Sequence, residues 1–328
     1  MADVLVTVPR AIEHGVDGPL GALYRDGHTV RHVRANAQTT ASELIAALAG
    51  ASAVVAIIEP YTKEVFAGAP LLRHIARAGV GYDAVDVAEA TKHGVLVTNT
   101  PGANSTAVAD FAMGMLLAVA RWIPTFDRDI HQGVWQSKLG ADVWQQTLGI
   151  VGLGNIGRGV ARRARGFDMR VLAYEPYPNM DFVRDHGIEL VSLEKLFSES
   201  DFVTLHFPAS AETAHMVNAR LLSLMKPTAY LVNTARGTIV DEDALYEVLV
   251  ANKIAGAALD VREIEPPHDT RFNELPNVVL APHAAGSTPR AVHAAIRDAA
   301  NAAAAYLRGE RPEGVINPEV LAREPQRA

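Results

Sequence analysis

Short apolar or β-branched runs alternate with helical patterns along most of this chain, and that alternation leaves few folds open. Runs at 4–8, 29–33, 53–58, 72–76 and 95–98 form one series, with helical patterns such as 41–49 between them. A second series follows at 147–151, 170–174, 202–205, 230–232, 257–260 and 278–280. Strands interleaved with helices in this way build parallel sheets covered by helices. The fold class expected is therefore α/β, with two such units. Between them lie a turn at Thr100-Pro101-Gly102 and a long helical pattern over 105–121, which Ser105 or Asn104 could cap and which would bridge the units. After Pro282 the pattern is helical again over 288–307, a segment expected to return to the first unit, and a polar, proline-containing tail closes the chain.

The 328 residues suffice for two domains, and a formal net charge of -7 argues against a general nucleic-acid binder, which needs a positive face to displace counterions from phosphates. Any anionic ligand must then be held by local groups. With no cysteine the chain has no disulfide, thiolate metal site or cysteine nucleophile, and it fits a reducing compartment; no metal is expected. The longest apolar stretch, 111–120, is too short to span a bilayer and stops at Arg121. Residues 1–10 carry Asp3 where a secretion signal would be basic, and they read as a strand. A cytoplasmic protein without membrane or nucleic-acid partners is expected.

Gly152, Gly154 and Gly157 follow the apolar run 147–151 and open onto a helical stretch. The first glycine permits a tight turn, the second lets backbone N–H groups approach a pyrophosphate, and the third lets helix and strand pack closely. The helix N-terminus then faces the phosphate charge. Glu175 ends the next strand-like run, about where an acid would meet the adenosine ribose hydroxyls. That favours NAD over NADP: the carboxylate would repel a 2′-phosphate, and no arginine stands among the next several residues to receive it.

Three further residues follow strand-like runs. Arg236, in Asn233-Thr234-Ala235-Arg236-Gly237, would project from the carboxyl end of a strand, where its guanidinium could grip a carboxylate with two parallel hydrogen bonds. The plain alternative is an ion pair with Asp241 or Glu242 on the next helix. His283, in Ala281-Pro282-His283-Ala284-Ala285-Gly286, has the residue type that gives and takes protons near neutrality. Glu265 stands before Pro266 and could hydrogen-bond that imidazole, or be an exposed acid at a proline turn.

The segments GVGYDAVD (79–86), NTPGANS (99–105), GLGNIG (152–157), NTARGTIVDEDAL (233–245), DVREIEPP (260–267) and PHAAGST (282–288) together resemble the D-isomer-specific 2-hydroxyacid dehydrogenases, and among them the phosphoglycerate dehydrogenase-like branch. The match runs from about 54 to 318. It implies two doubly wound parallel-sheet domains: a Rossmann NAD-binding domain, 101–287, inserted within a flavodoxin-like substrate domain, 1–100 plus 288–328, with the active site in the cleft. It implies that Arg236 binds the substrate carboxylate and activates its carbonyl, that His283 is the acid/base and that Glu265 orients it. Arg77, Val80 and Gly81 would contact substrate. Asn155 and Ile156 would lie on the pyrophosphate, Thr234 and Ala235 along the cofactor, Asp260 near the nicotinamide amide, with Arg236, His283 and Gly286 completing the cofactor contacts.

The chain departs from that pattern at informative places. Ala84 stands where phosphoglycerate dehydrogenases often carry asparagine, and Glu59-Pro60-Tyr61 occupies a turn where some members present arginine or serine to the substrate. A carboxylate there would oppose a second anionic group, with Arg77 in a position to compensate. Phosphoglycerate, glycerate or hydroxypyruvate, and glyoxylate are the substrate types left open. The chain ends soon after Pro318, without room for the regulatory domain of longer phosphoglycerate dehydrogenases. The aromatic segment 122–138 reads as an arm for a second subunit, making a homodimer the expected assembly. Two other readings use the same fold: an NAD-sensing, corepressor-like binding protein, and a dehydrogenase of phosphite or formate type.

Overall fold

A computed structural model describes residues 1–8 and 15–323; the tail over 324–328, and Pro9 and Arg10 at the end of the N-terminal stretch read as a strand, lie outside the described residues. The described residues of Met1–Asn104 and Thr288–Ala328 form one compact unit, and Ser105–Ser287 forms a second.

In the first unit β1 (Asp3–Val6), β2 (Thr29–His32), β3 (Ala53–Ala56), β4 (His74–Arg77) and β5 (Leu96–Thr98) make a parallel sheet in the order β2-β1-β3-β4-β5, the flavodoxin-like order. Successive side chains on a strand point to opposite faces. Val4, Val6, Ala53 and Val55 accordingly join a core with Leu20, Leu23 and Ile296, whereas Leu5, Val54 and Ala56 join another with Leu44, Phe66 and Leu72. Thr288 caps the helix Pro289–Leu307 by accepting from the N–H of Ala291, and the buried alanines of this helix let it lie close on β3 and β4. The edge strand β5 is covered by the segment around Asn317. That buried amide accepts from Val97 N–H at 2.8 Å and donates to the Val95 carbonyl at 2.9 Å, satisfying backbone groups an open edge would expose.

The second unit holds β6 (Thr147–Val151), β7 (Arg170–Tyr174), β8 (Glu189–Leu190), β9 (Phe202–Leu205), β10 (Tyr230–Asn233), β11 (Gly256–Leu259) and β12 (Val278–Leu280), all parallel, in the order β12-β11-β10-β9-β6-β7-β8. Counted within the unit and from the far edge, this is 3-2-1-4-5-6 with one more strand, the order of dinucleotide-binding sheets. The direction of winding reverses between β6 and β9, and ligands of such sheets sit outside the carboxyl ends of the strands at that point. The helix Ser105–Ala120 packs mainly on β10, β11 and the helix Asn155–Ala164, so it is a core helix of this unit. Among the described residues no single helix is long and apolar enough to cross a membrane.

The segment after it folds as the helix Ile123–His131, entered through Trp122 in a left-handed conformation. Trp122 donates its indole N–H to the Leu139 carbonyl at 3.1 Å, but Trp135 and Leu139 are 88% and 99% exposed, with Ile123, Ile130 and Trp144 also open to solvent.

Candidate active site

The carboxyl edge of the second sheet collects the chemistry. Gly152 follows β6, Glu175 follows β7, Arg236 lies three residues past β10, and Asp260 and His283 follow β11 and β12. Gly152 has φ +99, and a Cβ on Gly157 would overlap the Gly152 carbonyl oxygen, so the strand-to-helix turn closes only with glycine at both positions. Gly154, by contrast, has open space where its Cβ would stand. It heads the helix Asn155–Ala164 without any side-chain cap, which leaves the first-turn N–H groups, including those of Asn155 and Ile156, for an anion. Glu175 is held against this loop, accepting from Leu153 N–H at 2.9 Å and from Tyr177 N–H at 3.1 Å. Nearby on β10's extension, the hydroxyl of Thr234 is buried with no hydrogen-bond partner. An uncapped helix start, an open glycine and an orphaned hydroxyl on one sheet edge are what a dinucleotide would fill.

The turn that carries Ala235 and Arg236 is shaped by buried Asn233, which accepts from Ala235 N–H at 3.0 Å and donates to the Arg236 carbonyl at 2.9 Å. Both acids of the plain alternative have partners of their own. Asp241 caps the helix Glu242–Val250, and Glu242 takes Arg262 in a two-pronged pair.

His283 and Glu265 meet directly. Nδ1 of the imidazole lies 2.7 Å from Oε2 of the carboxylate, so Nδ1 carries the hydrogen and Nε2 is left for exchange with a reactant. Burial pushes the Glu265 carboxyl up, but hydrogen bonds from His283 and from Arg262 N–H, with the Arg236 charge nearby, outweigh it and hold the group below its ordinary range. His283 itself has φ +52, unusual for a residue with a Cβ, and is pinned there: its N–H meets the Asp260 carbonyl at 2.7 Å. Asp260, fully buried, commits both carboxylate oxygens to the N–H groups of Ala284 and Ala285, at 2.7 and 3.0 Å, just before Gly286.

Sequence reasoning passed over His206, the residue after β9. It is half-buried, with its Nδ1 enclosed and without a partner, its Nε2 lies 3.0 Å from the Thr204 hydroxyl, and desolvation of the ring lowers its pKa to about 3, which keeps it neutral. The rule that singled out His283, a polar residue directly after an apolar run, applies equally to it.

In the first unit Arg77 ends β4 and folds its guanidinium over Gly79, where a Cβ would collide with it. The N–H groups of Val80 and Gly81 have no acceptor among the described residues. Glu59 corrects the sequence reading. Its carboxylate is buried and accepts from Thr7 and Tyr61 hydroxyls at 2.6 and 2.9 Å and from the N–H groups of Ile57 and Ile58 at 3.2 and 3.1 Å. Burial and this carboxylate in turn raise the pKa of Tyr61 well above its usual value. A carboxylate enclosed and hydrogen-bonded in this way is held inside the first unit rather than presented from a turn.

A model of the D-isomer specific 2-hydroxyacid dehydrogenase NAD-binding domain matches residues 113–285. A glyoxylate reductase of Korarchaeum cryptofilum is 48% identical over 272 residues, 81% of this chain and 82% of its own length. Among solved structures, a protein of Thermus thermophilus superposes with a TM-score of 0.84 at 34% identity, covering 96% of this chain and 99% of its own. An NADPH-dependent glyoxylate/hydroxypyruvate reductase of Sinorhizobium meliloti, solved with citrate, gives 0.80 at 29%, covering 96% and 98%. The chain belongs to the D-isomer-specific 2-hydroxyacid dehydrogenase family, oxidoreductases that act on the CH–OH group of 2-hydroxy acids with a nicotinamide dinucleotide.

Proposed function

We propose that this dehydrogenase reduces a small 2-oxo acid of the glyoxylate or hydroxypyruvate type with NADH, and that Arg236, Glu265 and His283 carry the reaction. The observation that bears most weight is the His283–Glu265 hydrogen bond on the sheet edge that also holds Arg236. The nicotinamide supplies the hydride when bound. Arg236 pairs with the substrate carboxylate through two N–H donors and polarises the adjacent carbonyl. His283 gives the Nε2 proton to the oxygen that becomes the hydroxyl, and Glu265, ionised throughout, stabilises the imidazolium before that transfer. Val80 and Gly81 offer the substrate their two open N–H groups, and Arg77 adds positive charge beside them. In this reading residues 101–287 bind the nucleotide and 1–100 with 288–328 recognise the acid.

The first-turn amides of Asn155 and Ile156 receive the diphosphate, Thr234 and Ala235 line the cofactor, and Asp260 and Gly286 hold the loop of His283 beside it. Glu175, fixed by two backbone N–H groups, accepts from ribose hydroxyls and disfavours a 2′-phosphate, which separates this chain from its NADPH-dependent structural relative. A small, unphosphorylated substrate accords with the 48% identical glyoxylate reductase. Assays following NADH or NADPH consumption with glyoxylate, hydroxypyruvate and 3-phosphohydroxypyruvate are expected to show saturable turnover on one of the first two and a preference for NADH. Arg236→Lys, which loses the two-pronged pairing, should raise KM for the acid about 10- to 100-fold. No turnover on any of these acids, with the dinucleotide still bound, would point to a sensor instead.

The exposed apolar surface of Ile123, Ile130, Trp135 and Leu139 supports a homodimer. Light scattering should give twice the chain mass, and Trp135→Asp with Leu139→Asp should return a monomer; a wild-type monomer would refute it. The absence of cysteine and the net negative charge fit a cytoplasmic setting with no nucleic-acid or membrane partner.

A further inference from the structure

Glu265 sits on an irregular segment between β11 and β12, yet its carboxylate lies 2.7 Å from the His283 ring. Something must aim it. One oxygen is set by Arg262, whose backbone N–H meets Oε1 at 3.0 Å. The side chain of Arg262 turns the other way and takes Glu242 in parallel bonds, Nε to Oε1 and Nη2 to Oε2, both 2.9 Å. Oε1 of Glu242 also accepts from Glu263 N–H at 2.8 Å. The two side chains are only 7% and 13% exposed, and the guanidinium lies 4.6 Å above the Phe272 ring. Glu242 in turn begins a helix capped by Asp241, so its position is fixed by regular structure. Backbone contact completes the arrangement: Gly237, next to Arg236, lies so close to Arg262 that a Cβ there would overlap the Arg262 carbonyl and the Glu263 nitrogen.

We infer that Glu242 and Arg262 form a clasp that ties the Glu265 segment to the Arg236 turn and aims the carboxylate at His283, making both of them positioning residues for the proton transfer. The inference rests on His283 as the proton donor. A buried ion pair is seldom better for stability than an apolar pair of the same size. An apolar pair could not accept the Glu263 N–H, nor could it turn the Arg262 N–H toward Glu265. The geometry is thus accounted for by aim.

The test compares Glu242→Gln, Arg262→Met and the double variant in the full chain. Glutamine keeps an oxygen for Glu263 N–H but ends the charged, two-pronged pair. Expected for Glu242→Gln are a kcat on the 2-oxo acid lower by about 10- to 100-fold, with KM changed less than about twofold and NADH affinity, from fluorescence, unaltered. The downfield proton resonance of His283 Nδ1–H, assigned by its loss in His283→Gln, should move upfield or broaden. The double variant leaves no unpaired buried charge and serves the same readings if a single variant fails to fold. Wild-type kcat with an unmoved resonance would overturn the clasp. So would losses of KM, NADH affinity and kcat in step, which report general loosening. If His283→Gln keeps turnover, the donor assignment falls, while the resonance in Glu242→Gln still reports whether the clasp sets Glu265.

Discussion

Replacing His283 by alanine is expected to lower kcat for the 2-oxo acid by roughly 10³-fold, within the range that one positioned general acid contributes, while NADH continues to bind. The imidazole is presented for this task by unusual means. Its backbone occupies a left-handed conformation that the Asp260 carbonyl pins, and Nδ1 is tied to Glu265, so that Nε2 is the nitrogen left for a reactant. On the proposed role, removing the ring takes away the proton source but leaves the helix start at Gly154, the Glu175 carboxylate and the Thr234 hydroxyl untouched. Binding and chemistry should therefore separate: NADH fluorescence titration unchanged, turnover lost. Glu265→Gln should cost less, because the imidazole keeps an acceptor for Nδ1–H while the charge that stabilises the imidazolium is gone. Steady-state rates on the preferred acid within tenfold of wild type for His283→Ala would remove this residue from the reaction.

Much of the candidate site can be read from the chain because open α/β sheets bind at the carboxyl ends of their strands. A polar residue directly after an apolar run is thus already placed, and Arg236, Glu175 and His283 were found that way. His206 satisfies the same rule and was missed only because nothing in its neighbourhood singled it out. What could not be read depends on partners distant in sequence. Glu59 looks like a turn residue free to face a ligand, and only the fold brings Thr7 from the first strand and folds Tyr61 back to occupy it. The same holds for Glu242 and Arg262: two ordinary charges 20 residues apart become a buried pair because Gly237 allows two backbones to touch. The left-handed turn at His283 has no signature either, since few residues with a Cβ adopt that conformation and this one is held by the Asp260 carbonyl. Local chemistry is legible; the contacts that hold it in place are not.

Mild acid should weaken each unit separately, by about 2 kcal/mol between pH 6.5 and pH 5. The first unit buries His74 on β4, with Nε2 3.0 Å from the Thr98 hydroxyl, Nδ1 unpartnered and the ring against Tyr306; the second holds half-buried His206, whose Nδ1 is enclosed and unpartnered. Burial lowers the pKa of each to about 3, against 6.5 for an exposed histidine. The sign follows from which state takes the proton. Below pH 6.5 the unfolded chain is protonated at these positions and the folded chain is not, so the stability they contribute is complete above 6.5 and is lost progressively as pH falls toward 3. Each pH unit in that window is worth about 1.4 kcal/mol per histidine. Three other groups bear on the same experiment. His28, lowered in pKa by burial, acts in the same sense in the first unit. His215, raised in pKa by its hydrogen bond to Glu263, acts in the opposite sense, but that pair is at the surface and screened. Glu265, lowered in pKa, contributes stability that is present above its unfolded value of 4.5 and is lost only below it, so the interval from pH 7 to 5 isolates the histidines. Urea unfolding at those two pH values should show the loss in wild type, and His74→Gln and His206→Gln, which keep a hydrogen bond to threonine but do not titrate, should each flatten the dependence of one unit. Variants that track wild type in parallel would mean that these imidazoles reach water, or find a proton acceptor, without the chain unfolding.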